Sequence, residues 1–77
     1  MLVKEIKMKL DHKKIKILRI QKKLSLDDLA FELRRKLEFR VTKQTLHNWE
    51  TGKTQPKADD IGAMAQFYCK PITYFYV

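Results

Sequence analysis

Between Thr42 and Thr51 the sequence reads TKQTLHNWET, and its side chains separate into two kinds at helical spacing. Leu46 and Trp49, three positions apart, form one apolar stripe. Turning them inward leaves Lys43, Gln44, Thr45, His47 and Asn48 outward, with no acid before Glu50. Lysine can donate to guanine O6 and N7, glutamine and asparagine can pair bidentately with adenine, and a threonine methyl can touch that of thymine. A merely solvated helix face would usually include acids for i,i+4 pairing. The chemistry on offer is therefore non-covalent reading of base edges in a nucleic acid. Catalysis has no comparable constellation: His12 and His47 lack metal-ligand spacing, and Cys69 stands outside any Cys/His pair that could make it a nucleophile. No enzyme activity, cofactor, metal or small-molecule substrate is expected.

The elements that must position this face are legible from their starts. An apolar residue, a capping residue, three further positions and a second apolar residue recur at Leu10-Asp11 to Ile15, Leu24-Ser25 to Leu29 and Val41-Thr42 to Leu46. In each, the Asp, Ser or Thr oxygen can accept from a first-turn N–H while the apolar pair staples across it. Asp28 stands at the capping-box position after Ser25. Apolar periodicity then places Ile15, Leu18 and Ile17 inward on helix 1, Leu26, Leu29, Ala30, Leu33 and Leu37 on helix 2, and Leu46 and Trp49 on helix 3. Gly52 supplies a stop for helix 3, and Pro56 introduces a fourth helix near Lys57 to Tyr68 with Ile61, Met64, Ala65 and Tyr68 inward. Ile72 to Val77 can hold one more short turn. The expected fold is all-α: a compact bundle of four to five helices over residues 11–77, preceded by an N-terminal arm over 1–10. In that arm Ile6, Met8 and Leu10 alternate with Lys7 and Lys9, and a disordered tail, an edge strand between subunits and an arm along phosphates all fit the pattern.

A chain of 77 residues has room for one domain and no separate catalytic one. Seventeen Lys and Arg against nine Asp and Glu leave a formal charge of +8. Such a surplus attracts polyanions, although excess lysine also simply keeps a small protein soluble. The single cysteine precludes an intrachain disulfide, and charges interrupt every apolar run, so a cytoplasmic protein without a membrane span is expected.

Three stretches, RIQKKLSLDDLA, TKQTLHNWETGKTQP and AQFYCKPITYF, together resemble the helix-turn-helix domain of the lambdoid phage repressors and Cro, over roughly Lys13 to Phe75. Most specific is Trp49-Glu50-Thr51-Gly52 followed by Pro56, preceded by Leu29-Ala30 and by Arg19 one helix earlier. The resemblance implies that Lys43, Gln44 and Asn48, with Thr45 beside them, read bases. It further implies that the Thr51 N–H, Lys53 and Lys57 approach phosphate or the adjoining minor groove, and that Phe75 fills an apolar slot. Glu50 sits at the negative end of its helix dipole and needs compensation. In the family an Arg on helix 1 pairs with this Glu, which implies a bidentate contact from Arg19.

Two departures stand out. The stretch from Ala30 to Trp49 is longer than the usual pattern and lacks the customary Gly turn, so helix 2 is expected to extend through Arg34-Arg35-Lys36 into an irregular turn at Glu38-Phe39-Arg40. Arg40, with Arg34, Arg35 and Lys36, then adds phosphate contacts or solvates a helix end. Leu26 replaces the Gln that often opens helix 2 and holds a phosphate, so that contact is lost or passes to Ser25. The expected function is a regulator of transcription, a repressor rather than an activator, that binds double-stranded DNA as a homodimer contacting two half-sites. A protein-interaction module of the same fold, gripping a partner through its aromatic C-terminus, is the rival.

Overall fold

The computed structural model of the chain describes residues 9–77. Four α-helices, α1 (His12–Gln21), α2 (Leu26–Leu37), α3 (Lys43–Thr51) and α4 (Ala58–Tyr68), are followed by a short 3-10 helix over Ile72–Phe75. Their starts follow from local chemistry. Asp11 accepts from the Lys13 N–H at 3.1 Å and Thr42 from the Thr45 N–H at 3.1 Å. Ser25 and Asp28 form a complete capping box, each side chain bonding the other's N–H at 3.0 Å. At α4 only the reciprocal half forms, because a lysine side chain has no acceptor: the Lys57 N–H donates to Asp60 at 2.8 Å.

The helix ends use a device the composition conceals. A residue with positive φ follows each helix: Lys23 (58°) two positions after α1, Glu38 (53°), Gly52 (78°) and Cys69 (55°) directly after the others. Behind each, an N–H turns back to a carbonyl of the last turn, from Leu24 to Arg19, Phe39 to Leu33, Lys53 to Asn48 and Lys70 to Ala65. Only one of these residues is glycine, so three turns form at a steric cost that side chains bear in the left-handed region. The lengthened α2 therefore ends without a Gly because Glu38 takes its place. Gly52 has a second role: a Cβ there would meet the His12 ring at 3.1 Å, so its bareness gives that ring its place between α1 and α3.

The core is one cluster of Ile15, Leu18, Leu29, Leu33, Leu46, Trp49, Ile61, Met64, Ala65, Tyr68 and Phe75. α1 packs on α3 and on the 3-10 helix, and α2 packs on α3 and α4. Leu10, Leu24 and Val41, the outer halves of the three expected staples, lie partly buried against it. Ile17 does not join them: with Ile15 and Leu18 inward the helical period turns it to solvent, and it is 46% exposed. The aromatic C-terminus packs largely on the core, with Phe75 in the apolar slot that the resemblance implies. Phe75 is fully buried and Tyr68 nearly so, while Phe67, Tyr74 and Tyr76 pack on the core's edge. Lys22 and Lys36 sit over the Phe67 ring, and Lys14 and Lys70 over Tyr74.

Of the expected arm, residues 1–8 lie outside the described residues. Its last two residues do find a partner: Leu10 bridges Tyr76 antiparallel, with the Val77 N–H donating to Lys9 and the Asp11 N–H to Phe75, both at 2.8 Å. The two ends of the described chain are thereby tied together.

Arg19 on α1 and Glu50 on α3 are both buried and meet in a bidentate pair, Nε to Oε2 at 2.7 Å and Nη2 to Oε1 at 2.9 Å. The remaining Nη1 donates to the Leu24 carbonyl at 2.8 Å. The hydrogen bond to Glu50 raises the Arg19 pKa further above its ordinary value. The pair also compensates the carboxylate at the negative end of α3. The neighbouring Tyr68 hydroxyl, buried and with no hydrogen-bond partner among the described residues, has its pKa pushed up mainly by desolvation.

Arg19→Ala should cost about 3–5 kcal/mol, because it strands a buried carboxylate, whereas Arg19→Met combined with Glu50→Leu should recover most of that loss. Urea melts decide it; a single substitution within about 1 kcal/mol of wild type would remove the pair from its structural role. Tyr68→Phe deletes an unsatisfied hydroxyl and should leave stability equal or up to about 1 kcal/mol higher, a clear loss meaning that the hydroxyl is bonded. Glu38→Gly relieves the left-handed strain and should raise stability by about 1 kcal/mol in the same melts, against an unchanged or lowered midpoint if that strain is absent.

Candidate nucleic-acid interface

The geometry of α3 follows from what anchors it. Leu46 and Trp49 enter the core and Glu50 is drawn inward by Arg19, so three residues on one side hold the helix and the opposite side is left to solvent. Lys43, Gln44 and His47 are exposed there; Thr45 and Asn48 are half-buried at its margin. With Glu50 buried and paired, no free carboxylate of α3 itself interrupts this face.

Its polar groups are partly prearranged. Gln44 Nε2 donates to Asn48 Oδ1 at 3.1 Å across one helical turn. That leaves the Gln44 carbonyl oxygen and the Asn48 amide hydrogens outward, an acceptor and donors side by side. Both adenine N6/N7 and mixed base steps present the complementary groups. Thr45 is divided: its hydroxyl accepts from Thr42 Oγ1 at 3.0 Å, within the cap. Lys43 Nζ lies 3.6 Å from an Asp27 carboxylate oxygen, both groups well exposed. Asp27 belongs to α2 and is sixteen positions away in sequence, so no local periodicity pointed to it. An exposed pair of this kind is weak and yields readily to a stronger anion.

The residues expected near phosphate lie around the two ends of α3. Thr51 is its last residue, exposed, with its hydroxyl donating to the His47 carbonyl at 3.0 Å and the Asn48 carbonyl at 3.3 Å. Lys53 is exposed in the following loop, held by its N–H to Asn48 at 2.9 Å, and Lys57 is the exposed cap of α4. Arg40 is exposed in the turn before α3. Ser25, the fallback for a phosphate at the start of α2, is differently placed. Its Oγ accepts from Asp28, and the Asp28 carboxylate already occupies the Ser25 N–H. That backbone bond holds the Asp28 carboxyl below its ordinary range, so it stays charged at neutral pH. The capping box leaves the Leu26 and Asp27 N–H groups open, but an anion approaching them meets the carboxylates of Asp27 and Asp28 as well.

Of the remaining chemistry-bearing residues, His12 lies against Gly52, His47 is on the exposed face of α3, and Cys69 is exposed at the end of α4. Among the described residues no helix is long and apolar enough to cross a membrane. A match to the helix-turn-helix family spans residues 15–75, from the buried Ile15 of α1 to the buried Phe75 of the last turn. No curated protein and no solved structure matches the chain. With that match covering most of its length, the chain belongs to the helix-turn-helix family of lambda repressor and Cro-like DNA-binding domains.

Proposed function

We propose that this DNA-binding regulator is a sequence-specific repressor of transcription that reads the major groove of duplex DNA with α3. The observation that carries the reading is the outward face of α3: Lys43, Gln44 and Asn48 grouped without a free carboxylate of their own helix, on a helix anchored from behind by Leu46, Trp49 and the Arg19–Glu50 pair. Rigid support matters because base discrimination depends on hydrogen bonds whose geometry must not relax to suit the wrong base.

In this reading Lys and Arg first displace counterions, and α3 then tests base edges. Lys43 leaves Asp27 for guanine. Gln44 and Asn48 keep their mutual bond and present its free groups to adenine or an adjacent step, while the Thr45 methyl faces thymine. Lys53, Lys57, Arg40 and the backbone at Thr51 meet phosphates and set the register. A cytoplasmic homodimer is the working form, since one helix of nine residues reads only a few base pairs and a two-fold pair doubles the site, with half-sites about 34 Å apart.

Selection of duplexes from a random pool should return a palindromic site. On that site Lys43→Ala and Gln44→Ala should each reduce discrimination by about 1–3 kcal/mol, measured as the ratio of affinities for selected and mismatched duplexes. Lys53→Ala should weaken all duplexes alike and reduce the salt slope by about 1. Binding indifferent to both α3 substitutions would reject α3 as the reading element.

A further inference from the structure

We infer that Arg34 and Arg40 form a phosphate clamp for the DNA backbone beside the start of α3, replacing an anchor at the start of α2, where Leu26 has no polar group and Asp27 and Asp28 oppose an anion. The inference rests on the duplex-reading role proposed for α3 and adds to it a pair of residues and a polarity.

The lengthened end of α2 carries four cations, and the structure sorts them into two kinds. Arg35 and Lys36 follow Glu32 by one helical turn and turn toward it. Arg35 contacts Glu32 through Nε at 3.2 Å and Nη2 at 2.8 Å, and Lys36 approaches at 3.7 Å while lying over the Phe67 ring of α4. Their charge is engaged by Glu32. Arg34 and Arg40 have no carboxylate partner among the described residues. They line one surface depression with Ala30, Val41 and Thr42, the residue that caps α3. The left-handed Glu38 brings them together: by reversing the chain after α2 it returns Arg40 alongside Arg34, six residues earlier. Arg34 and Arg40 also line an adjoining depression with Arg35 and Glu38, where Arg35 is turned to Glu32 and Glu38 makes no ion pair with either arginine among the described residues.

Two unpaired guanidiniums in one hollow suit a phosphodiester, which accepts forked N–H donors. The first turn of α3 carries no acid of its own, and the Asp27 carboxylate beside it is engaged by Lys43 at 3.6 Å. Position adds a second argument. Arg34 and Arg40 stand at one end of α3 and Lys53 just past the other. Nine helical residues between them span about 13 Å, close to the ~12 Å width of the major groove. The two sets can therefore reach backbone on either side of the groove that α3 enters. At the far end of α2, Asp27 and Asp28 carry the opposite sign. Helix α2 thus binds the duplex by its C-terminal end.

The test uses the full chain and a duplex selected by it, with affinity followed by fluorescence anisotropy across a salt series. Arg34→Gln with Arg40→Gln should lower the steepness of log K against log salt by about 1.8, two contacts at about 0.9 each, without reordering the preferred sequences. Arg35→Gln with Lys36→Gln removes the same formal charge and should leave the slope near wild type. Equal effects from the two double variants would overturn the clamp in favour of general charge, as would an unchanged slope in the first. Circular dichroism melts confirm that both variants fold, and single Arg34→Gln and Arg40→Gln variants, each expected to lower the slope by about 0.9, serve if either double does not. Failure of the wild-type chain to bind any duplex would instead overturn the underlying role of α3, and the clamp with it.

Discussion

Arg19 and Glu50 are separated by thirty-one residues, yet their planar groups meet edge to edge through two hydrogen bonds in the interior of the domain. The third contact of the guanidinium, to the Leu24 carbonyl, extends the tie to the turn that leads into α2. One side chain thereby sets α1, the entry to α2 and the last turn of α3 relative to each other. Such a pair adds little net stability, because desolvating two charges offsets most of their attraction. Its value lies in direction. Apolar contacts at Leu46 and Trp49 hold α3 against the core but tolerate rotation, whereas a bidentate pair fails if the helix turns by a few tens of degrees. The angle at which Lys43, Gln44 and Asn48 emerge depends on it.

The rest of the architecture arranges for that pair to be reachable. Gly52 ends α3 immediately after Glu50 and Thr51, and its missing Cβ leaves room for the His12 ring of α1. Leu10 and Tyr76 tie the start of α1 to the end of the chain, which seats Phe75 beneath it. The Tyr68 hydroxyl beside the pair is a cost of this arrangement: the ring is needed in the core, and its polar end finds no partner among the described residues.

Charge is distributed unevenly around this frame. The chain carries a formal excess of +8, and among the described residues the cations do not form a uniform basic surface. Several cations are occupied structurally, Arg19 by Glu50, Arg35 and Lys36 by Glu32, and Lys14, Lys22 and Lys70 by aromatic rings. Those without such occupation include Arg34, Arg40 and Lys53, which surround α3 at its two ends. The acids at the start of α2 deny that end to an anion. Net charge brings the domain to a polyanion, but this sorting orients it.

Much of this was legible in the sequence because it is local. Capping residues, the apolar pairs that staple across them, and the 3.6-residue period depend on neighbours within one or two turns, and they located all four helices and nearly every buried residue. The outward set of α3 followed from the same periodicity once Leu46 and Trp49 were turned inward. Periodicity was least decisive on α1, where Ile17 lies off the buried stripe. The turn after α2 was harder, because a left-handed Glu38 has no signature of the kind glycine provides. Pairings across the fold had no local signature at all. Asp27 with Lys43, Leu10 with Tyr76, and the return of Arg40 alongside Arg34 depend on how the chain packs, and no spacing along it encodes those distances. For Arg19 and Glu50 the family resemblance supplied the partner that spacing could not. Local spacing along the chain sets which segments become helices, which residue types face outward and which charges pair within a helix, as Glu32 does with Arg35 and Lys36. Packing sets the pairs between helices, Arg19 with Glu50 and Lys43 with Asp27, because those partners are chosen by proximity in space.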